Sequence, residues 1–297
     1  MHLIRKIFIF ARPIQLLFGL LAYGLGLGFA RYLGSTLLTE PQFFCGVIIV
    51  LLLAASNLLI EYFRPPNEPI NPGETRKERE ELRSYLLISS ISFIASVAIL
   101  VFLLNRDGFI RVETALILAL FIILALVNAV PPFRLINRGL GELSTSIQIA
   151  SLAPSLGFLF QFGSLHRLLT IYTVPLLLLA LAYFLAVNFP AYADDLKYER
   201  RSLLMSLTWQ RAVPIHNVLL VVAYLYFAAI PFLGVPVGLV WPALLTLPIA
   251  AYQVFTLRNL AEGAKPIWSI FLATATAIHA QWMRASLGNS VFHSKSW

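Results

Sequence analysis

The chain has 297 residues, 59% of them hydrophobic and only 12% charged, with a formal net charge of +8 and a mean hydropathy of +0.81. Soluble domains carry about a quarter charged residues, so the composition excludes a soluble fold and indicates an integral membrane protein. No basic run is interleaved with aromatics, which argues against nucleic acid, and the single cysteine, Cys45, excludes an internal disulfide framework or a thiolate metal cluster.

The first dozen residues, Met1 to Arg12, form a short basic amphipathic lead-in without the small-residue cleavage site of a signal peptide. A membrane-spanning helix needs about 20 apolar residues. Nine stretches satisfy this, at 13–33, 41–63, 85–105, 112–130, 140–162, 168–189, 212–233, 236–257 and 266–285. The short connections leave no room for a soluble domain. The expected architecture is therefore an all-α, polytopic membrane helix bundle of about nine transmembrane helices, forming one domain over residues 1–297. Placing the N-terminus in the cytoplasm puts sixteen of the 22 lysines and arginines on that side, as the positive-inside rule requires.

Polar residues collect at the cytoplasmic ends of particular spans. At the end of the second, Asn57 and Glu61 are four residues apart and share a helical face. Stacked oxygen ligands of this kind suit a hard cation such as Mg²⁺; the alternative is a helix end whose polar groups meet lipid headgroups. Arg64, Asn67 and Glu68 follow in a proline-bent loop. The run Arg76-Lys-Glu-Arg-Glu-Glu-Leu-Arg83 pairs opposite charges at i and i+4 and reads as a solvated helix leading into the third span.

Between the fourth and fifth spans lies Val130-Pro-Pro-Phe-Arg-Leu-Ile-Asn-Arg-Gly-Leu-Gly-Glu142. Pro131 and Pro132 end the preceding helix. Arg134 and Arg138 place two cations at the membrane surface, and Gly139 and Gly141 permit close backbone approach. Glu142 opens an apolar segment, where an acid is costly unless it lines a polar cavity; it and Gln148 are candidates to face an acceptor pocket. At the end of the sixth span, Asn188, Tyr192, Asp195 and Glu199 recur at helical spacing, while Asp194 points elsewhere. Lys197, Arg200 and Arg201 supply positive charge suited to a diphosphate. A headgroup-facing helix end is again the alternative.

Pro131-Pro-Phe-Arg-Leu-Ile-Asn-Arg-Gly-Leu-Gly-Glu142 closely resembles the corresponding loop of UbiA-type intramembrane prenyltransferases, most nearly the branch that prenylates dihydroxynaphthoate in menaquinone synthesis. Asn57-x-x-x-Glu61 is similar to the family's first acidic motif, with Glu in place of the usual Asp and the further acid falling at Asn67 or Glu68. Asn188-Phe-Pro-Ala-Tyr-Ala-Asp-Asp-Leu-Lys197 resembles the second, with Asp195 at the second acid and Ala191 at the first; Arg201-Ser-Leu and Arg12-Pro13 also fit the pattern.

The resemblance implies transfer of a prenyl chain from a prenyl diphosphate to an aromatic or other lipophilic acceptor, in lipoquinone or related isoprenoid biosynthesis. It implies Mg²⁺ held by Glu61 and Asp195, with Glu68, Asp194 and Glu199 as further metal ligands. Glu61 and Asp195 would be the catalytic acids. Asn57, Arg64, Arg134, Arg138, Glu142, Asn188, Tyr192, Lys197 and Arg201 would bind substrate, at the cytoplasmic side of the cell's inner membrane. Two other readings stand beside it. A relative that has lost catalysis would bind an isoprenoid lipid or a partner protein. A transporter would need charges at mid-membrane, whereas these lie at one interface.

Overall fold

Pro13 opens the first long helix because its missing N–H is one that a first turn leaves unpaired in any case. The computed structural model describes residues 2–36, 39–71 and 73–292. Its chain begins with α1 (His2–Phe10) and passes through Ala11 and Arg12 into α2 (Pro13–Tyr32). Helix α1 turns Ile4, Phe8 and Ile9 outward while Ile7 and Phe10 pack beside Leu58 and Leu82, an arrangement suited to a helix lying in a membrane interface.

Helices α3 (Thr39–Tyr62), α4 (Arg76–Arg106) and α5 (Val112–Ala129) follow. Next come α6 (Gly141–Ile147) and α7 (Ala153–Phe162), fused by a π-helical segment, Gln148–Leu152. The chain continues through α8 (Arg167–Asn188), α9 (Tyr192–Lys197), α10 (Leu203–Leu207) and α11 (Trp209–Ala229), and ends with α12 (Val237–Leu244), α13 (Leu247–Ala261) and α14 (Trp268–Phe292). Helix makes up 80% of the structure, and no strand occurs among the described residues. Lipid cannot satisfy backbone polar groups, so the helix, which pairs them internally, is the form such a chain must take.

Among the described residues, eight helical segments are long and apolar enough to cross a membrane, and α14 adds a shorter apolar stretch, Trp268–Ala280. The architecture is thus the polytopic all-α bundle expected from the nine apolar runs. The third segment begins well before its apolar core. Thr75 and Glu78 form a reciprocal capping box, which starts α4 at Arg76 and carries the charged run Arg76 to Arg83 on a helix.

The segment from Gly141 to Phe162 is the axis of the bundle: 83% of its apolar window is buried, against 17% for α4. Helix α4 instead turns Ile88, Ile91, Ile99 and Phe102 outward, as a lipid-facing wall would. Helix α2 packs against α7 at backbone contact. A Cβ on Gly26 would fall 1.9 Å from the Pro154 carbonyl oxygen, and one on Gly157 would fall 2.2 Å from that of Tyr23. Small residues allow this approach, on which helix packing in lipid depends. Pro154 also accounts for the π segment, since it has no N–H to donate to Ala150 in the regular ladder. Contacts between α14 and α2 bring the last helix against the first long one.

Candidate functional site

Four helix termini meet at one end of the bundle: the start of α2, the end of α3, the start of α6 and the end of α8. Between them lies a cavity of about 430 Å³. Pro13, Ile60, Ile136, Tyr183, Phe184 and Val187 form an apolar part of its wall. The remainder is strongly charged, with Arg12, Glu61, Arg64, Glu68, Arg134, Glu142, Asp195 and Arg200 all lining it.

These charges form a connected chain. Arg12 Nη2 lies 3.2 Å from Glu61 Oε1, and the other Glu61 oxygen pairs with Arg64. Arg64 Nη1 reaches Glu68 Oε1 at 3.1 Å. The same Glu68 oxygen pairs with Arg200, whose Nη1 lies 3.2 Å from Asp195 Oδ1. Ser202 Oγ closes the chain by donating to Asp195 Oδ2 at 2.8 Å. Glu61, Glu68 and Asp195 are each at most 4% exposed, so without these partners their charges would be untenable. Burial raises the Asp195 carboxyl above its usual range, opposed by Ser202 and Arg200. Burial also disfavours the charge on Arg200, but Glu68 and Asp195 outweigh it and raise the pKa.

Two of the arginines are held by unusual backbone. Arg12 (φ 57°) and Arg134 (φ 41°) both adopt the left-handed conformation, which costs a non-glycine residue about 1–3 kcal/mol and tends to occur at functional sites. Asn57 explains part of the first. Its Nδ2 donates to the Ala11 carbonyl at 2.9 Å, pinning the turn that delivers Arg12 to Glu61. Arg134 has a buried Nε without a hydrogen-bond partner. Burial lowers its pKa, partly offset by Glu68 and Glu61, yet an arginine keeps its charge under such conditions. Gly139 (φ 73°) seats the loop below, since a Cβ there would meet Ser206 Oγ at 2.3 Å.

Of the residues expected from sequence, Glu61, Arg64, Glu68, Arg134, Glu142, Asn188 and Asp195 line this cavity. Asn57 does not; its amide serves the Ala11 turn. The expected continuous face Asn188, Tyr192, Asp195, Glu199 is interrupted, because α8 ends at Asn188 and α9 begins only at Tyr192. Pro190 falls in this gap and cannot donate to a continuing ladder. Tyr192 consequently packs edge-on against Trp209, with centroids 5.4 Å apart. Asp194 is exposed, and Lys197 lies over the Tyr198 ring at 5.0 Å. Arg138, Glu199 and Arg201 line an adjoining surface depression, with Pro132, that shares Arg134 and Asn137 with the cavity. Arg200, which the sequence had placed with Lys197 and Arg201 as charge suited to a diphosphate, also lines the cavity, and Arg12 and Ser202 are the lining residues to which sequence reasoning gave no role in a site.

The cavity suits a divalent cation in its donor chemistry. Three carboxylates, the hard oxygen donors that Mg²⁺ prefers, face it with a guanidinium between each neighbouring pair, so a positive charge already occupies each gap. Among the described residues no three acidic, histidine or cysteine side chains converge as a ready-made metal cage.

No family model and no curated protein matches the chain. Solved structures do. A UbiA homologue from Archaeoglobus fulgidus, bound to GPP and Mg²⁺, superposes with a TM-score of 0.70 at 16% identity, covering 96% of this chain and 99% of the other. The structure of a UbiA homologue from that organism bound to DMAPP and Mg²⁺ gives 0.64 at 16% identity, covering 95% and 99%. A digeranylgeranylglyceryl phosphate synthase gives 0.59 at 14% identity, covering 98% and 99%. Along nearly its whole length, the chain shares the fold of UbiA homologues.

Proposed function

We infer that the protein is a prenyltransferase, moving a prenyl chain from a prenyl diphosphate to a lipophilic acceptor in lipoquinone or related isoprenoid synthesis. The observation that carries this reading is the cavity itself. Buried acids from the end of α3, the loop after it and α9 are threaded by arginines, and an apolar wall adjoins them. The UbiA homologues of like fold hold GPP or DMAPP with Mg²⁺, and a metal-bound diphosphate with an isoprenoid tail matches a site with arginines and carboxylates on one side and apolar side chains on the other. The loop from Pro131 to Glu142 supports the dihydroxynaphthoate branch. The bias of lysine and arginine supports a cytoplasmic N-terminus and a site on the cytoplasmic side of the inner membrane, within one domain over 1–297.

Arg12, Arg64, Arg134 and Arg200 would grip the diphosphate, with forked hydrogen bonds to its oxygens. Glu61, Glu68 and Asp195 would hold Mg²⁺, which when bound adds a Lewis-acidic charge against the leaving group. As the allylic C–O bond breaks, its electron pair leaves with the diphosphate. Once their hydrogen bonds have passed to the bound diphosphate, the arginines would stabilise that charge as it develops. Tyr183, Phe184 and Val187 keep water from the allylic cation, so that an electron-rich acceptor carbon captures it and then loses a proton. Arg138, Lys197 and Arg201, outside the cavity, would attract the anionic substrate toward the site.

A second reading, an isoprenoid-binding relative without catalysis, is favoured by Ala191. It lines the cavity where the resemblance expects an acid. One experiment separates the two. Purified protein in detergent is given labelled prenyl diphosphates, a panel of acceptors and Mg²⁺, alongside Asp195→Ala. Metal-dependent product that disappears in the variant supports the enzyme. Diphosphate binding without product supports the second reading, and the absence of both would overturn each.

A further inference from the structure

The charged run that opens α4 is not uniformly solvated. The side chain of Arg76 is 92% exposed and pairs with Glu80 at the surface, whereas that of Arg79, one turn on, is 16% exposed. Arg79 faces the loop that carries Glu68. Its Nη1 donates to the Pro66 carbonyl at 2.8 Å and its Nη2 to the Pro65 carbonyl at 2.7 Å. The Glu68 backbone N–H donates to that same Pro65 carbonyl at 3.1 Å. One guanidinium therefore closes over the turn from which the Glu68 side chain enters the cavity.

The composition of the loop makes such a clasp necessary. Pro65, Pro66 and Pro69 have no N–H, so the segment cannot pair its carbonyls within a ladder of its own, and they must find donors elsewhere. Arginine supplies several donors in one rigid plane, and here they reach two consecutive carbonyls. The Pro69 carbonyl accepts from Arg64 Nη1 at 2.8 Å. Glu74 holds the far side of the loop, accepting from the Ile70 and Asn71 N–H groups at 2.8 and 2.9 Å, and lies 3.8 Å from Arg79. Ile70 is itself buried with Leu82 and Leu86 of α4 and Leu58 of α3. One turn beyond Arg79, Arg83 sits over the Tyr62 ring at 5.0 Å, beside Glu61. The first two turns of α4 thus hold both ends of the stretch from Glu61 to Glu68.

Resting on the prenyl-transfer reading above, we propose that Arg79 is a positioning residue for the metal and diphosphate site, acting through the Pro65–Glu68 turn, with Glu74 as its partner on the loop. The carboxylate of Glu68 is otherwise fixed by Arg64 and Arg200. When those two arginines pass their hydrogen bonds to a diphosphate, Glu68 keeps its place only through its backbone. Arg79 fixes that backbone from outside the cavity, whose lining includes neither Arg79 nor Glu74.

The test measures binding, so it does not depend on turnover. Mn²⁺ binding to the purified protein is followed by electron paramagnetic resonance in the presence of geranyl thiodiphosphate, an analogue slow to ionise, and melting is recorded on the same samples. Arg79→Met should weaken Mn²⁺ binding by about tenfold or more, the range for residues that orient a metal ligand, in protein that is still folded. Arg76→Met, on the exposed side of the same turn, should leave it unchanged. In a Glu68→Gln background Arg79→Met should add no further loss, because the carboxylate it positions is gone. A lowered melting temperature with undiminished Mn²⁺ affinity would make Arg79 structural only and overturn the proposal. An equal further loss in the Glu68→Gln background would overturn it too. Should Arg79→Met fail to fold, Arg79→Lys, which keeps the charge without the planar fork, decides the matter: weakened Mn²⁺ binding supports the proposal and unaltered binding overturns it. If the unaltered protein binds neither Mn²⁺ nor the analogue, the prenyl-transfer reading fails and takes this proposal with it. If it binds both and Arg79→Met binds them equally well, the proposal alone fails.

Discussion

The guanidinium of Arg200 pairs with the carboxylate of Glu68, 132 residues away in the chain. It thereby ties the loop after α3 to the loop after α9. Glu68 is 3% exposed, and removing Arg200 leaves its buried negative charge to Arg64 alone and takes the ion-pair partner from Asp195. Arg200 is itself one-third exposed, which lets water screen part of the loss. Arg200→Met should therefore lower stability by about 1–3 kcal/mol, below the full penalty for a wholly buried pair. Melting in detergent checks this. Adding Glu68→Gln to Arg200→Met should cost less than the sum of the two single changes, because the under-compensated charge is gone. Additive losses would show that the pair is not coupled.

Asp194 and Asp195 are adjacent, yet one is exposed and the other buried in the cavity. Asp195→Asn should reduce prenyl transfer on the order of a hundredfold or more, because it removes one of the carboxylates that would hold the metal against the leaving group. Asp194→Asn and Glu199→Gln should leave transfer unchanged. Steady-state rates for the three variants decide the matter, and an equal loss for Asp194 would place the metal-binding acids differently.

Much of the fold was legible in the sequence because lipid imposes a length. Nine apolar runs near 20 residues leave few other choices, and Pro13, Pro131 and Pro132 mark where helices start or stop. The site was legible only where its logic is local. Glu61 and Asp195 were found from helical spacing, and both reach the cavity. Spacing also singled out Asn57, but four residues' separation from Glu61 fits a structural hydrogen bond to Ala11 as well as it fits a ligand. Tyr192 and Glu199 were grouped with Asn188 and Asp195 by a helical period that the break around Pro190 interrupts. Arg200 was read only as nearby positive charge and Arg12 was given no role, because their pairing depends on long-range partners. Glu61 is 49 residues from Arg12, and no local pattern encodes that meeting.

The contact of α2 with α7 leaves no space for a side chain at Gly26 or Gly157, where an added Cβ would fall within 2.2 Å of a carbonyl oxygen. Neither carbonyl can yield without moving a helix. Gly26→Ala and Gly157→Ala should each destabilise the bundle by about 1–3 kcal/mol or more, the range for overpacked sites. Both should reduce the monodisperse fraction in size-exclusion chromatography. Gly34 has open space around it but a positive φ of 90°, so Gly34→Asn, which tolerates that conformation, should behave as the unaltered protein. Normal behaviour of Gly26→Ala would contradict the close helix contact.

Divalent metal and diphosphate should bind together. Glu61, Glu68 and Asp195 are already neutralised by Arg12, Arg64 and Arg200, so a metal ion arriving alone must displace guanidinium groups and leave them without an anion. A diphosphate supplies that anion, and the arginines can transfer their hydrogen bonds to it as the carboxylates turn to the metal. Each charge-assisted bond retained in this exchange is worth about 1.5–3 kcal/mol. Mn²⁺ as a paramagnetic substitute should therefore bind at least about tenfold more tightly when geranyl thiodiphosphate is present than when it is absent. By reciprocity, the analogue should bind more tightly by the same factor when Mn²⁺ is present. Titration followed by electron paramagnetic resonance measures the free ion directly. Arg200→Met should narrow the difference by improving metal binding in the absence of diphosphate. If Mn²⁺ binds equally with and without the analogue, the arginines do not compete for the carboxylates and the coupling fails.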